Sequence, residues 1–129
     1  MTLSTDARNA AVDAVTALLN GGGKLQLATD GAFGTIVAEF NLATTAFNAA
    51  ESGTAAIPSA LSATASATGN AEAYRFVTSA DAPVITESGT DAISGTGGGG
   101  KLVLAQANTS ITSGQSITIN TFTLTMPAS

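Results

Sequence analysis

Cysteine, histidine and tryptophan are all missing from these 129 residues, and only four cations, Arg8, Lys24, Arg75 and Lys101, stand against nine acids. Without cysteine there are no disulfides, thiolate metal sites or cysteine nucleophiles. Without histidine the commonest general base and the usual transition-metal ligand are gone. Phosphate neutralisation supplies most nucleic-acid affinity, and no basic stripe exists to provide it, so nucleic acid is not an expected partner. No stretch approaches the roughly 20 apolar residues of a membrane span, and residues 1–20 lack the basic start and unbroken apolar run of a secretion signal. The expectation is a soluble chain with no recognisable export route and no membrane partner.

Aromatic residues, at 5%, and charged residues, at 10%, are also scarce. An average soluble protein carries roughly 25% charge. The core must therefore be assembled from small side chains, and the surface must be largely Ser, Thr, Asn and Gly, which neighbours can cover at little desolvation cost. By length the chain is one domain.

The acids Asp6, Asp13, Asp30, Glu39, Glu51, Glu72, Asp81, Glu87 and Asp91 are scattered singly. A calcium loop needs alternating oxygen ligands, which "TDGAFGTIVAE" does not supply. A glycosidase needs two carboxylates about 5 to 9.5 Å apart in a cleft; Glu39 with Glu72 qualifies no better than any other pair of strand acids. No catalytic residue, metal site or cofactor is expected, and the chain is not expected to be an enzyme.

What is present includes one octet used almost twice, "GGGKLQLA" from Gly21 and "GGGKLVLA" from Gly98. The second copy, extended to "GTGGGGKL", has the glycine and lysine spacing of a phosphate-binding loop. That loop requires Ser or Thr after the lysine to hold magnesium, and Leu102 stands there. It also requires a helix beginning at the lysine, whereas "KLVLA" alternates as a strand does. Duplication fails as well, since "TDGAFGTI" and "QANTSITS" after the two octets have little in common. Each copy reads as a glycine turn entering a strand, with an exposed lysine at the strand start and two leucines facing the core.

Ahead of the first octet lies "STDARNAAVDAVTALLNGGG". Ser4 or Thr5 can cap a helix there, Asp6 falls in the first turn where the helix dipole favours negative charge, and the glycines stop it. Ala7, Ala11, Val15 and Leu18, with Ala14 and Leu19 beside them, form a stripe at three-to-four spacing on a helix of about four turns. Arg8, Asn9, Asp13 and Thr16 form its polar face. Two roles are open to it: a helix docked on its own domain, or an arm packing on another subunit, for which Ala7, Arg8, Ala11, Val15 and Leu18 are the candidate contacts.

After Lys24 the period becomes two. Leu25 and Leu27, an Asp30-Gly31 turn, and Ile36, Ala38 and Phe40 on one face predict a hairpin. "TTAFNAA" predicts a short strand around Phe47. "GTAAIPSALSATASATGNA" carries Pro58 and suits an edge strand or loop. "EAYRFVTSADAPVITES" predicts a second hairpin turning near Asp81 and Pro83, with Tyr74 and Phe76 on one face, Ala73, Arg75 and Val77 on the other, and Arg75 exposed. "SGQSITINTFTLTMPAS" turns at Ser113-Gly114; Ile117 and Ile119 then differ in parity from Phe122, Leu124 and Met126, which predicts a bulge near Asn120-Thr121. The fold class is mainly β, an antiparallel β-sandwich or jelly-roll-like domain over residues 21–129 with roughly seven or eight strands, preceded by one N-terminal helix or arm over residues 1–20.

The opening "LSTDARNAAVDAVTALLNGG" and the ending "SGQSITINTFTLTMPAS" resemble the two ends of small structural proteins encoded among the virion genes of tailed bacteriophages. The resemblance implies a virion component, most simply a capsid decoration or cement protein that bridges major capsid protein subunits. Such proteins are commonly β-rich and often trimeric, so a homo-oligomer is implied, on the outer capsid surface and in the host cytoplasm during assembly. It brings no catalytic residues. A tail, neck or fibre component is the alternative within the virion, and a carbohydrate-binding attachment module the alternative outside that class. The glycine-rich "SGTGGGGK" departs from the resemblance.

Overall fold

The computed structural model describes residues 1–126; residues 127–129, which close the C-terminal block quoted above, lie outside the described residues. One helix, α1 (Thr5–Ala17), is followed by twelve short strands among the described residues. In chain order these are β1 (Lys24–Ala28), β2 (Ile36–Asn41), β3 (Thr54–Ala56), β4 (Leu61–Thr64), β5 (Gly69–Asn70), β6 (Ala73–Val77), β7 (Pro83–Ser88), β8 (Ile93–Ser94), β9 (Leu102–Val103), β10 (Ser110–Ile111), β11 (Ser116–Ile119) and β12 (Thr123–Thr125). The protein is mainly β, with one N-terminal helix.

Ser4 caps α1, its hydroxyl accepting from the Ala7 amide at 3.1 Å, with Asp6 in the first turn. Gly21 and Gly22 follow at φ 74° and 116°, conformations that favour glycine. Gly23 then donates to the Leu19 carbonyl, so close to it that a β-carbon would strike that oxygen.

The helix lies on its own domain. Val12, Thr16 and Leu19 are buried, and Val12 and Leu19 belong to the main core. Three polar side chains reach from the helix region to amides of the next loops: Asn9 accepts from Gly53 at 2.7 Å, Asp13 from Ala50 at 2.9 Å and Asn20 from Ala46 at 2.8 Å. Buried or half-buried amides need partners. These side chains supply them where a strand would otherwise be required, which is why the strand expected around Phe47 is an irregular segment, with Phe47 itself buried.

Both expected hairpins are present, β1–β2 and β6–β7, and β1 pairs with β6 to give one antiparallel sheet in the order β2-β1-β6-β7. A register shift sets Leu27 opposite Ala38 but Ala28 opposite Ile36. Ile36 therefore leaves the face of Ala38 and Phe40 and packs with Ala28, Phe33 and Ala73 on the other side. The alternation of Ile36, Ala38 and Phe40 in the sequence gives no sign of this, because an extra residue flips every side chain beyond it.

The remaining strands form two-stranded ladders. β3 pairs with β12, β4 with β11 and β5 with β10, all antiparallel. β8 and β9 are parallel, Ile93 opposite Leu102 and Ser94 opposite Val103, an exception to the antiparallel expectation. A parallel connection ordinarily takes a dozen or more residues. Here residues 95–101, "GTGGGGK", make it, and the close approaches explain the glycines: a β-carbon on Gly95 would lie 2.5 Å from the Ala107 carbonyl carbon, and one on Gly100 would lie 2.6 Å from the Ser94 amide nitrogen. The glycines of the second octet thus belong to a tight crossover that leads into β9.

The parity change near Asn120 also has a definite cause. β11 ends at Ile119 and β12 begins at Thr123, each on a different partner strand, so the chain breaks and restarts. Ile117 and Ile119 before this break and Phe122 within it are all buried. The core joins Leu25, Leu27, Phe40 and Phe76 of the four-stranded sheet to Leu61, Ile117, Ile119 and Leu102 of the ladders, and to Leu104 just after β9. Phe122 lies against Phe76, Tyr74 and Phe47, with ring centroids 4.9, 5.6 and 6.1 Å away.

Candidate functional site

The five candidate contacts on α1 divide between its two sides. Ala7 and Leu18 face outward, and Leu18, at 60% exposure, is the most exposed large apolar side chain after Met1 among the described residues. Ala11 and Val15 are half-buried at the edge. Arg8 turns to its own domain, where its guanidinium reaches the Ser52 carbonyl at 3.5 Å and the Thr5 hydroxyl at 3.1 Å. Its Nε is buried with no partner.

The outward face is Ala7, Ala10, Ala14, Ala17 and Leu18, at intervals that place them on one side of a helix. The docked face is Val12, Thr16 and Leu19. Counting alanines locates the wrong side as the core: the bulkier Val12 and Leu19 mark the buried stripe, and Thr16 joins it because its hydroxyl donates back to the Asp13 carbonyl at 3.3 Å.

The few charges are largely tied down. Lys24 pairs with Asp81 and Lys101 with Glu87, each at 2.8 Å. The hydrogen bond that the Lys24 ammonium donates to Asp81 holds its pKa above the ordinary value. Across the outer side of the sheet, Gln26 donates to Glu39 and accepts from Arg75 Nε, both at 2.7 Å, and the Arg75 guanidinium sits 4.4 Å from the centre of the Phe33 ring. Arg75, expected to be exposed, is half-buried because that ring covers it. Glu39 is thus held in a structural ladder. No three potential metal-ligating side chains come together among the described residues, and no helix among them is long and apolar enough to cross a membrane.

A cavity of about 390 Å³ opens between β7 and β12, with Tyr74, Ile85, Phe122 and Leu124 as its apolar walls. Glu87, Lys101, Thr123 and Thr125 supply the polar ones. The hairpin register sets Tyr74 opposite Glu87 only through a one-residue shift at Phe76/Val77; counted straight from Val77 opposite Pro83, Thr86 would stand there. Neither that pairing nor the arrival of Lys101, which depends on the glycine crossover, could be read from the turn at Asp81.

Burial, followed by the neighbouring Glu87 carboxylate, pushes the Tyr74 phenol up to about 12. The folded protein then holds this proton more tightly than the unfolded chain, whose tyrosine titrates near ~10. The part of stability linked to this proton is accordingly fully present below about pH 10 and falls as the pH rises from there towards 12, as the unfolded state releases its proton before the folded one does. Following phenolate absorbance against pH, native and in urea, checks this; a native midpoint as low as the urea one would mean a solvated ring.

Compared with protein-family models, with curated proteins and with solved structures, the chain finds no match.

Proposed function

We propose that the chain is a non-enzymatic structural protein of a tailed-bacteriophage particle, seated on the outer capsid surface as a decoration or cement protein that bridges major capsid protein subunits. The observation that carries the reading is the outward face of α1: a helix docked by one side keeps a row of alanines and an exposed Leu18 on the other. Small side chains permit close, broad contact. The resemblance of the two chain ends to phage virion proteins supplies the class. We read the β body as a sandwich of jelly-roll type, with the four-stranded sheet as one layer and the short ladders as the other, sharing the core described above.

The accessible surface is 6345 Å² for a 12.5 kDa chain, close to the roughly 6,200 Å² expected of a folded monomer of that mass. Such a subunit can exist free before it docks, as a protein added to a finished shell must. A shell under pressure from packaged DNA gains the binding free energy of whatever attaches only to the expanded lattice. An oligomer, possible as a trimer, adds multivalency, since the first attached subunit holds the others at high effective concentration.

The test mixes purified protein with expanded capsids and with free capsid subunits. Binding to the shell alone is expected, and it should persist at 1 M salt, where the screening length of about 3 Å removes exposed ion pairs. Leu18→Glu, on a side chain 60% exposed in the isolated subunit, should weaken attachment at least ~10-fold by placing a charge in an apolar contact. Particles lacking the protein should release DNA at lower temperature, followed by dye fluorescence. Failure to bind any shell would overturn the reading.

A further inference from the structure

We propose that the cavity between β7 and β12 is a binding site for one saccharide unit, held by Glu87, Lys101 and the Tyr74 hydroxyl. The size suits it: about 390 Å³ falls within the roughly 300 to 1,000 Å³ of small-molecule sites. Tyr74, only 3% exposed as a whole, lines this cavity beside Glu87, the residue opposite it in the hairpin.

The chemistry of the walls selects the class. Glu87 and Lys101 form an ion pair with Nζ 2.8 Å from Oε1, so the site's two charges cancel. A charged ligand would have to take one partner from the other. A neutral ligand with hydroxyls on adjacent carbons uses both as they stand: one hydroxyl donates to the carboxylate, and its neighbour accepts from the ammonium. Hydrogen bonds to ionised groups are the stronger ones. The Tyr74 hydroxyl and the threonines of β12 extend the polar set, while Phe122, Leu124 and Ile85 offer apolar surface to the C–H face of a ring. Adjacent hydroxyls on a ring with an apolar face describe a sugar.

The placement of Lys101 gives the glycine crossover a purpose beyond economy. Gly97 adopts φ 81°, and Gly100 donates to the Ser94 hydroxyl at 3.0 Å. These fix the loop so that the first residue after it stands over Glu87. The proposal is independent of attachment to a shell, and each can fail without the other.

Tyr74 is the only tyrosine and there is no tryptophan, so tyrosine emission reports on this cavity alone. The experiment titrates the purified protein with glucose, galactose, mannose, rhamnose and N-acetylglucosamine, following Tyr74 emission and backbone amide shifts by NMR. At least one sugar should give a saturable change centred on Tyr74, Glu87 and Lys101. Glu87→Gln and Lys101→Gln, with melting curves checked against the parent, should each weaken it roughly 10-fold or more, as expected for loss of a hydrogen bond to an ionised group. A flat response to the whole panel in both measurements overturns the proposal. So does a response that maps outside the cavity, or one that both variants leave intact.

Discussion

Phe76→Ala should lower the unfolding free energy by about 3–5 kcal/mol, the usual cost of emptying a fully packed phenylalanine site. Phe76 is 0% exposed and stands at the junction of the core, its ring 4.9 Å from Phe122, 5.7 Å from Phe47 and 6.0 Å from Tyr74. In a chain with few aromatics, no other large ring can move in to fill the space. Against a typical total of 5–15 kcal/mol, this is enough to lower the melting temperature on the order of 10 °C. Urea denaturation followed by circular dichroism measures it. Phe76→Leu, which keeps most of the volume, should cost about 1.5 kcal/mol or less. Equal losses for the two variants would mean that the aromatic cluster is not a packed unit.

The four glycines ahead of Lys101 should separate sharply under substitution. Gly100→Ala places a β-carbon 2.6 Å from the Ser94 amide nitrogen and 2.7 Å from the Ile93 carbonyl carbon. Both are backbone atoms of β8, so relief requires β8 to move away from β9. A loss of about 1–3 kcal/mol is expected, in the range of other forced overpacking. Gly99→Ala meets nothing within 4 Å and has no positive φ; it should be neutral or gain up to about 1 kcal/mol from a stiffer unfolded chain. Denaturation curves of the two variants decide the matter. If Gly100→Ala behaved as Gly99→Ala does, close packing of the crossover would not account for the glycine run.

Local signals carried the sequence reading where neighbours in the chain are neighbours in space. The Ser4 cap, the glycine stop of α1, the hairpins turning at Asp30-Gly31 and Asp81, and the inward pairs Leu25 with Leu27 and Leu102 with Leu104 all depend on a few adjacent residues. Where the outcome depends on partners far along the chain, the pattern was silent. Phe47 has strand-like surroundings, but its segment is held by Asn20 and Asp13 from the helix region. Ile36 changes faces because β1 and β2 slip by one residue. The cavity needs Tyr74, Lys101 and Phe122 together, and no local spacing links them. The buried face of α1 was readable from Val12 and Leu19, had side-chain size been weighed above the count of alanines.

The ladders impose an order on synthesis. β3, β4 and β5, between Thr54 and Asn70, have their backbone partners in β12, β11 and β10, between Ser110 and Thr125. A ribosome makes the first group well before the second, at about 5–20 residues per second. Throughout that interval the early strands have nothing to pair with, and unpaired edges are the surfaces through which chains aggregate. A nascent chain stalled before Ser110 would display three such edges beside a half-covered apolar sheet, a target for chaperones. The fold closes only once β10, β11 and β12 have been made, so a chain cut before Ser110 should be an insoluble product and not a smaller working domain.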